Sequence, residues 1–275
     1  MTTPLRLDAP AKLNLSLRVV GVRDDGLHEL ESELVLLELA DRLLLLPGCS
    51  GLRMEGIDAT SLPVGPDNLA WRGLVAGLGS EPDLACLSLE KQVPVAAGLG
   101  GGSSDAAAAW RLGRAWAGNG AATAHEVAAL ATIGADVPFF AAGVAAARVA
   151  GVGERVTPIP AARMHAVLLH PPFGLSTAAV FGQLRREEWG SAGNDLLAPA
   201  LRLRPELSDL LTAVTRAGGD PRLSGSGSTL FTLTDDPERA AAVAVSLRAE
   251  GARVTLTATR TDATAIERLT DPEED

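Results

Sequence analysis

Glycine is the residue type with the clearest chemical meaning in this 275-residue chain, in a segment that runs from Pro94 to Asp105. Positions 98 and 100–102 are all glycine. Glycine reaches positive φ at little steric cost and lets backbone N–H groups approach a ligand, so such a loop can form an anion-binding nest. Ser103, Ser104 and Asp105 are helix N-cap types, so they predict a helix whose N-terminus faces the same ligand. The segment therefore predicts a phosphate-binding loop.

Two common phosphate-binding loops do not fit this segment. A Rossmann fingerprint requires G-x-G-x-x-G, but Ser103 stands where the third glycine would be. A Walker A loop requires a lysine after its glycines, and none follows here. The structural alternative is a flexible surface loop before a capped helix. A strand pattern before the loop and a helix pattern after it favour phosphate binding over that alternative.

A second set of candidate residues lies near the start of the chain. From Leu5 to Val19 the apolar residues fall on odd positions and polar residues on even ones, with an interruption at Pro10, which is the pattern of a β-strand. Alternate side chains of a strand share a face, so Lys12, Asn14 and Ser16 are predicted to project together. A cation and an amide are thus expected side by side.

The remaining pattern predicts a mixture of strands and helices. Strands are predicted over residues 33–37, 42–46, 84–93, 166–170, 228–233 and 253–259, and helices over 67–77, 104–116, 123–133, 205–217 and 236–250. Thr123 and Glu126 have the spacing of a capping box. Because strands and helices do not alternate strictly, the order favours an α+β fold over a doubly wound one. The proline- and glycine-rich residues 151–160 are the best candidate for a domain boundary.

Composition limits the classes of function. The chain is 47% hydrophobic and 21% charged, as in folded globular proteins, and long enough for two domains. A net charge of −10 argues against a nucleic-acid partner, which needs a basic face. Cys49 and Cys86 are too few for a disulfide framework, so a reducing cytoplasm is expected. The N-terminus lacks an apolar signal segment and charges interrupt residues 34–47, which predicts no membrane span.

Five segments resemble a known family. Residues 10–15 (Pro-Ala-Lys-Leu-Asn-Leu), the glycine-rich segment and residues 223–228 (Leu-Ser-Gly-Ser-Gly-Ser) resemble the three motifs of the GHMP kinase superfamily. Residues 24–30 and 134–140 are similar to its 4-diphosphocytidyl-2-C-methyl-D-erythritol kinase branch. The resemblance implies an N-terminal domain like ribosomal protein S5 domain 2 over residues 1–156. It also implies a ferredoxin-like C-terminal domain over residues 157–275, with the active site between the two.

The resemblance also implies an activity. The γ-phosphate of ATP, with Mg²⁺, would be transferred to the 2-hydroxyl of a cytidine-diphosphate-linked methylerythritol in non-mevalonate isoprenoid biosynthesis. The partners would be these small molecules, with the chain a monomer or a homodimer. No pair of carboxylates marks a metal site, so the ion is expected to arrive bound to ATP, with Ser104 or Asp105 as candidates to help hold it.

Single residues receive roles by the same resemblance. Asp136 would be the general base and Lys12 would orient it, although an isolated aspartate before Val137-Pro138 would more simply cap a helix. ATP binding is assigned to Pro94, Val95, Ala96, Ala97, Gly98, Leu99, Gly100, Gly101, Gly102, Ser103 and Ser104, together with Lys91 and Asn68. For Lys91 the alternative is an ordinary solvated charge at a strand end.

The acceptor substrate is assigned to Asn14, His28, Thr177 and Phe181. His28 would read the cytosine edge and Phe181 would stack on the base, although Phe181 also fits a core position on a helix. The family commonly has tyrosine where this chain has Leu27, so one stacking face is in doubt. Residues 224–228 would either close the cleft or form a simple tight turn.

Three other functions compete with this interpretation. Another GHMP kinase, acting on homoserine, mevalonate or a sugar such as galactose, lacks support from the segments around His28 and Asp136. A non-catalytic nucleotide-binding regulator would need neither Lys12 nor Asp136. A structural or nucleic-acid partner conflicts with the net charge.

Overall fold

The structure is a computed structural model of the single chain, and it describes residues 3–190 and 193–269. The described residues form eleven strands. These are β1 (Leu5–Val22), β2 (His28–Pro47), β3 (Gly51–Gly56), β4 (Ala85–Lys91), β5 (Ala146–Gly151), β6 (Arg155–Pro158), β7 (His165–His170), β8 (Arg222–Leu223), β9 (Leu230–Thr234), β10 (Arg253–Ala258) and β11 (Glu267–Arg268).

The strands form two sheets. The first has the order β11-β1-β2-β4-β3, with β5 paired to both β2 and β6, and the second has the order β10-β7-β9-β8. Strand β3 runs parallel to β4, whereas the other pairs are antiparallel. The strands predicted at 33–37 and 42–46 are one continuous strand, β2, because residues 40 and 41 stay paired with β1. Together with the helices, these sheets confirm the α+β class.

Eight α-helices connect the strands. They are α1 (Leu69–Leu78), α2 (Gly101–Trp116), α3 (Ala124–Ala129), α4 (Val137–Ala141), α5 (Thr177–Gly182), α6 (Leu197–Leu203), α7 (Leu207–Arg216) and α8 (Pro237–Ala249). The capping box of Thr123 and Glu126 is confirmed at the start of α3. Helix α2 begins at Gly101, three residues before the predicted start, and its N-cap is Gly100 with φ 71°. A residue without Cβ tolerates this conformation, and no side chain caps the helix.

The described residues form four apolar clusters, and two of them, called the first and the second core, lie at opposite ends of β1. Leu5 and Leu7 of β1 pack with α1 and α2 in the first core. Leu17 and Val19, further along β1, join the second core, which includes residues of α7 and α8. We call the parts of the molecule built on the first and the second sheet its two halves. Because β1 contributes to both cores, it joins these two halves.

The predicted division at residue 156 can be located among the strands. That position lies inside β6, which pairs with β5 of the first sheet, so the chain changes sheet only after Pro158. Near its other end the chain returns to the first sheet, where β11 pairs with β1. The predicted second segment therefore contributes one short strand to the first half.

The two cysteines are paired in the structure. Cys49 and Cys86 form a disulfide with a Cα–Cα distance of 5.2 Å. Cys86 lies on β4 opposite Leu46, just before the turn that carries Cys49. The sequence interpretation treated both cysteines as reduced. It missed this pair because the pairing depends on the register of β2 and β4.

None of the described helices is long and apolar enough to cross a membrane.

Helices α1 and α2 touch through their backbones, which gives a test of the first core. A Cβ at Gly73 would lie 2.1 Å from the carbonyl oxygen of Ala106, whereas a Cβ at Gly120 would meet nothing within 4 Å. We expect Gly73→Ala to lower the free energy of unfolding by about 1–3 kcal/mol, because the helices must separate. Gly120→Ala is the matched control, and denaturant unfolding should find it within about 0.5 kcal/mol of the parent. Equal stability of the two variants would contradict this packing.

Candidate active site

A cavity of about 530 Å³ opens between the two halves of the molecule. Its wall is formed by β1, the segment after β4, the turn before α4, helix α5 and the turn before β9. These are the elements that carry most of the predicted site residues. The described residues that line the cavity include one carboxylate, that of Asp136, and two lysines, Lys12 and Lys91.

The glycine-rich loop, residues 94–103, lines one side of this cavity. Gly98 has φ +74°, and a Cβ there would lie 2.3 Å from the carbonyl oxygen of Ser224. The loop ends at the N-terminus of α2, where the first N–H groups of a helix have no acceptor within the helix. Backbone donors and the positive end of a 16-residue helix thus converge on the cavity.

Lys12 and Asp136 meet at the mouth of this loop. The Lys12 ammonium is buried and donates to the Asn14 side-chain oxygen at 2.5 Å and to the Gly98 carbonyl at 2.9 Å. Its Nζ lies 3.6 Å from Oδ2 of Asp136. Asp136 occupies the N-cap position of α4, but its side chain makes no capping hydrogen bond. The carboxylate is therefore free to face the cavity, where 34% of the side chain is exposed.

Residues 224–228 close the cavity from the second half. Ser224 donates its hydroxyl proton to the Gly98 carbonyl at 2.9 Å, and Thr229 N–H donates to the Ala97 carbonyl at 3.1 Å. Gly225 and Ser226 line the cavity. The run is also a tight turn, because the Gly227 N–H donates to the Ser224 carbonyl at 2.9 Å, so the two interpretations left open for it are compatible.

Three of the four residues predicted to contact the acceptor, Asn14, Thr177 and Phe181, line the cavity, whereas His28 is not among the lining residues and lies beside Phe181. Thr177 and Phe181 lie on α5, and the Thr177 hydroxyl lies 2.9 Å from that of Ser226. Phe181 also packs on the second core, as its alternative role predicted, and its stacking on the base stays a prediction. The His28 ring lies 4.9 Å from the Phe181 ring and 6.2 Å from the Trp189 ring, measured between centroids. Sequence reasoning missed Trp189, which lies in a segment where no motif was found.

Three predicted ATP-binding residues occupy unexpected places. Asn68 caps α1 by accepting from Ala70 N–H at 2.8 Å and donates to the Pro63 carbonyl, and it does not line the cavity. Ser104 is buried in α2, where it lines a separate small cavity of about 10 Å³. Lys91 lines the main cavity but is only 2% exposed, so the alternative of a solvated strand-end charge is wrong. Its Nζ donates to Asp41 and, at 2.7 Å, to Asp105.

The described residues do not form a ready metal site. No group of three histidine, cysteine or acidic side chains among them could hold a metal ion. Asp105 is engaged by Lys91, and Ser104 faces away from the main cavity. The donors in the cavity are mostly backbone N–H groups and ammonium groups, which suit an anion better than a cation.

The pKa of the Asp105 side chain, near this site, departs strongly from its ordinary value. Burial raises the pKa of its carboxyl group to about 8, with Asp41 adding to the rise and Lys91 opposing it. A buried carboxyl beside a second carboxylate favours its protonated form. Asp41 was missed by sequence reasoning, although an acidic residue inside the apolar run of 34–47 was a signal of an internal partner.

Comparison with known proteins identifies relatives of the whole chain. Residues 68–144 match the GHMP kinases N terminal domain, and residues 176–253 match the model described as GHMP kinases C terminal. The chain is 38% identical to the 4-diphosphocytidyl-2-C-methyl-D-erythritol kinase of Dinoroseobacter shibae, over 89% of this chain and 90% of that protein. It is also 38% identical to the kinase of that name from Thermus thermophilus, over 88% and 92% of the two chains.

Solved structures give the same picture. A crystal structure of 4-(cytidine 5'-diphospho)-2C-methyl-D-erythritol kinase superposes with a TM-score of 0.76 at 36% identity, covering 92% of this chain and 98% of that one. Homoserine kinase from Cytophaga hutchinsonii superposes with a TM-score of 0.63 at 17% identity, over 97% of this chain and 98% of that one, which supports the fold alone.

The Asp105 carboxyl gives a pH dependence of stability. Its folded-state pKa is raised to about 8 from an ordinary value of 3.8, so the folded state holds a proton that the unfolded chain has released. This contribution to stability is complete below about pH 4 and is lost as the pH rises towards 8. We expect the melting temperature of the parent to fall relative to that of Asp105→Asn between pH 5.5 and 8.5, roughly the upper part of that window. Glu90→Gln, a change at a half-exposed neighbour of Lys91, is the control, and parallel curves for all three proteins would contradict the assignment.

Proposed function

Because the chain belongs to the 4-diphosphocytidyl-2-C-methyl-D-erythritol kinase family of GHMP kinases, we propose that it transfers the γ-phosphate of ATP to that cytidine substrate. The acceptor is the 2-hydroxyl of the methylerythritol moiety, and the products are the 2-phosphate and ADP. The observation that carries the proposal is the meeting of Lys12 and Asp136, 3.6 Å apart, at the mouth of the glycine-rich loop.

The proposed reaction uses few groups, because phosphoryl transfer depends mainly on positioning and charge neutralisation. The N–H groups of the glycine-rich loop and the N-terminus of α2 hold the phosphates of ATP. The hydroxyl gives its proton to the Asp136 carboxylate as its oxygen forms a bond to the γ-phosphorus, and the bond to the bridging oxygen of ADP breaks. The Lys12 ammonium stabilises the negative charge that develops between them.

The acceptor is recognised at the other end of the cavity. Phe181 offers an aromatic face to the cytosine, and His28 lies beside it with ring nitrogens that can bond to the base edge. Asn14 and Thr177 supply polar contacts to the sugar alcohol. Leu27 is 54% exposed beside His28, so an aliphatic side chain covers the position where the family commonly has an aromatic ring.

Several features of the reaction follow as proposals of the same kind. Mg²⁺ is proposed to reach the cavity bound to ATP, where it neutralises phosphate charge. The chain is proposed to act in the cytoplasm, as a monomer or a homodimer, with no nucleic-acid partner. The step would serve non-mevalonate isoprenoid biosynthesis.

The direct test measures ADP release with Mg-ATP and the cytidine substrate, beside homoserine, mevalonate, galactose and a blank without acceptor. We expect turnover with the cytidine substrate alone. Asp136→Asn should lower kcat by about 10²–10⁴-fold with little change in the KM for ATP, since a lost general base slows proton transfer and not binding. Asp209→Asn, on the exposed face of α7, is the matched control. Turnover of another acceptor, or full activity of Asp136→Asn, would refute the proposal.

His28 gives a separate test of the acceptor site. We expect His28→Ala to raise the KM for the cytidine substrate about tenfold, the equivalent of one lost hydrogen bond to the base, while the KM for ATP stays unchanged. Steady-state kinetics with each substrate varied in turn measure both constants. His125→Ala changes an exposed histidine on α3 and should behave as the parent does. Equal changes in both constants would remove His28 from the acceptor site.

A further inference from the structure

A buried cluster of three ionisable side chains lies behind the glycine-rich loop. It consists of Lys91 at the end of β4, Asp41 on β2 and Asp105 on α2, and their exposed fractions are 2%, 0% and 2%. Lys91 Nζ donates to Oδ2 of Asp41 and, at 2.7 Å, to Oδ2 of Asp105. Lys91 alone lines the cavity, whereas the two carboxylates lie behind it. The proposed reaction assigns neither carboxylate a role.

Hydrogen bonds connect the cluster to both ends of the glycine-rich loop. Oδ1 of Asp41 accepts the N–H of Gln92 at 2.5 Å and the N–H of Val93 at 2.8 Å, immediately before the loop begins. Asp105 lies on the second turn of α2, just after the loop ends. Lys91 bonds to both carboxylates at once, so the entrance and the exit of the loop are tied to one point on β2.

The neighbouring aspartates keep the Lys91 side chain in its charged form. Burial alone would lower the pKa of the Lys91 ammonium, but the charges of Asp105 and Asp41 and their hydrogen bonds outweigh it, and the pKa is raised. The Lys91 Nζ lies 3.5 Å from the position of a Cβ on Gly101, directly behind the first turn of α2. A fixed positive charge therefore stands where the triphosphate would meet the helix N-terminus.

We infer that Asp41 and Asp105 are positioning residues that set the spacing of the glycine-rich loop and aim the Lys91 ammonium at the nucleotide. A buried ion pair contributes little net stability when compared with well-packed apolar residues, so a precise geometry is the better reason for its presence. The inference rests on the proposed use of the loop to hold ATP. Its consequence is that residues with no access to the cavity control the affinity for nucleotide.

The test compares Asp41→Asn, Asp105→Asn and Glu90→Gln by calorimetric titration of the folded proteins with Mg-ATP in the absence of acceptor, followed by steady-state kinetics. Both asparagine variants keep the size of the side chain and an oxygen that can accept a hydrogen bond. The titration is run at pH 8.5, above the pKa of about 8 of the Asp105 carboxyl, so that both aspartates are ionised in the parent. Asp41→Asn should then weaken ATP binding about tenfold, the effect of one lost charged hydrogen bond, and Asp105→Asn should weaken it as well because it also removes a charge bonded to Lys91. The KM for the cytidine substrate should stay within about twofold, because no altered contact reaches the acceptor end. Glu90→Gln should match the parent.

The alternative role, a purely structural ion pair, predicts a different result. In that case the variants would lose stability while the folded protein bound ATP as the parent does, and this result would overturn the inference. So would an equal rise in the KM for both substrates. If Asp41→Asn fails to fold, Asp105→Asn decides the matter alone. A parent that binds ATP but phosphorylates none of the acceptors would refute the proposed function and leave this inference standing, because the titration needs no acceptor.

Discussion

The carbonyl group of Gly98 is the point on which the active-site cleft depends. It accepts one hydrogen bond from Lys12, on the first strand, and another from Ser224, in the turn that precedes β9. The two halves of the molecule and the loop that faces the phosphates therefore meet at one oxygen atom. A side chain at position 98 would collide with the backbone of Ser224, so glycine is required there by the approach of the second half as well as by the conformation of the loop.

Charge in this cleft is arranged at two depths. At the surface of the cavity, Lys12 lies between the glycine-rich loop and the Asp136 carboxylate, which is part-exposed and can exchange a proton with a bound hydroxyl. Behind the loop, Lys91 is held between two carboxylates that solvent does not reach. The outer pair is suited to chemistry because one member faces the cavity. The inner cluster is suited to geometry because all its charges are internally paired or protonated.

Sequence reasoning succeeded where a local pattern determines the structure. The glycine-rich loop, the strand that places Lys12 beside Asn14, and the capping box of Thr123 are all readable within a few residues. It failed where a residue's role depends on distant parts of the chain. Asn68 is used as a helix cap, and Ser104 is turned into the interior because α2 begins three residues early. The buried partner of Asp41 is Lys91, which lies 50 positions further along the chain.

Around His28, too, local sequence motifs could be read but a contact with a distant residue could not. The motif that contains His28 could be read from the sequence, and so could the aliphatic Leu27 beside it. The resemblance also placed Phe181 at the same base as His28. The contact of His28 with Trp189 could not be read, because Trp189 lies in a segment without a motif and meets His28 only in the folded chain. The Trp189 ring meets His28 edge-on and packs on the second core, so it adds a second aromatic contact to the imidazole. Two aromatic residues far along the chain thus contact His28, whereas its neighbour Leu27 is largely exposed.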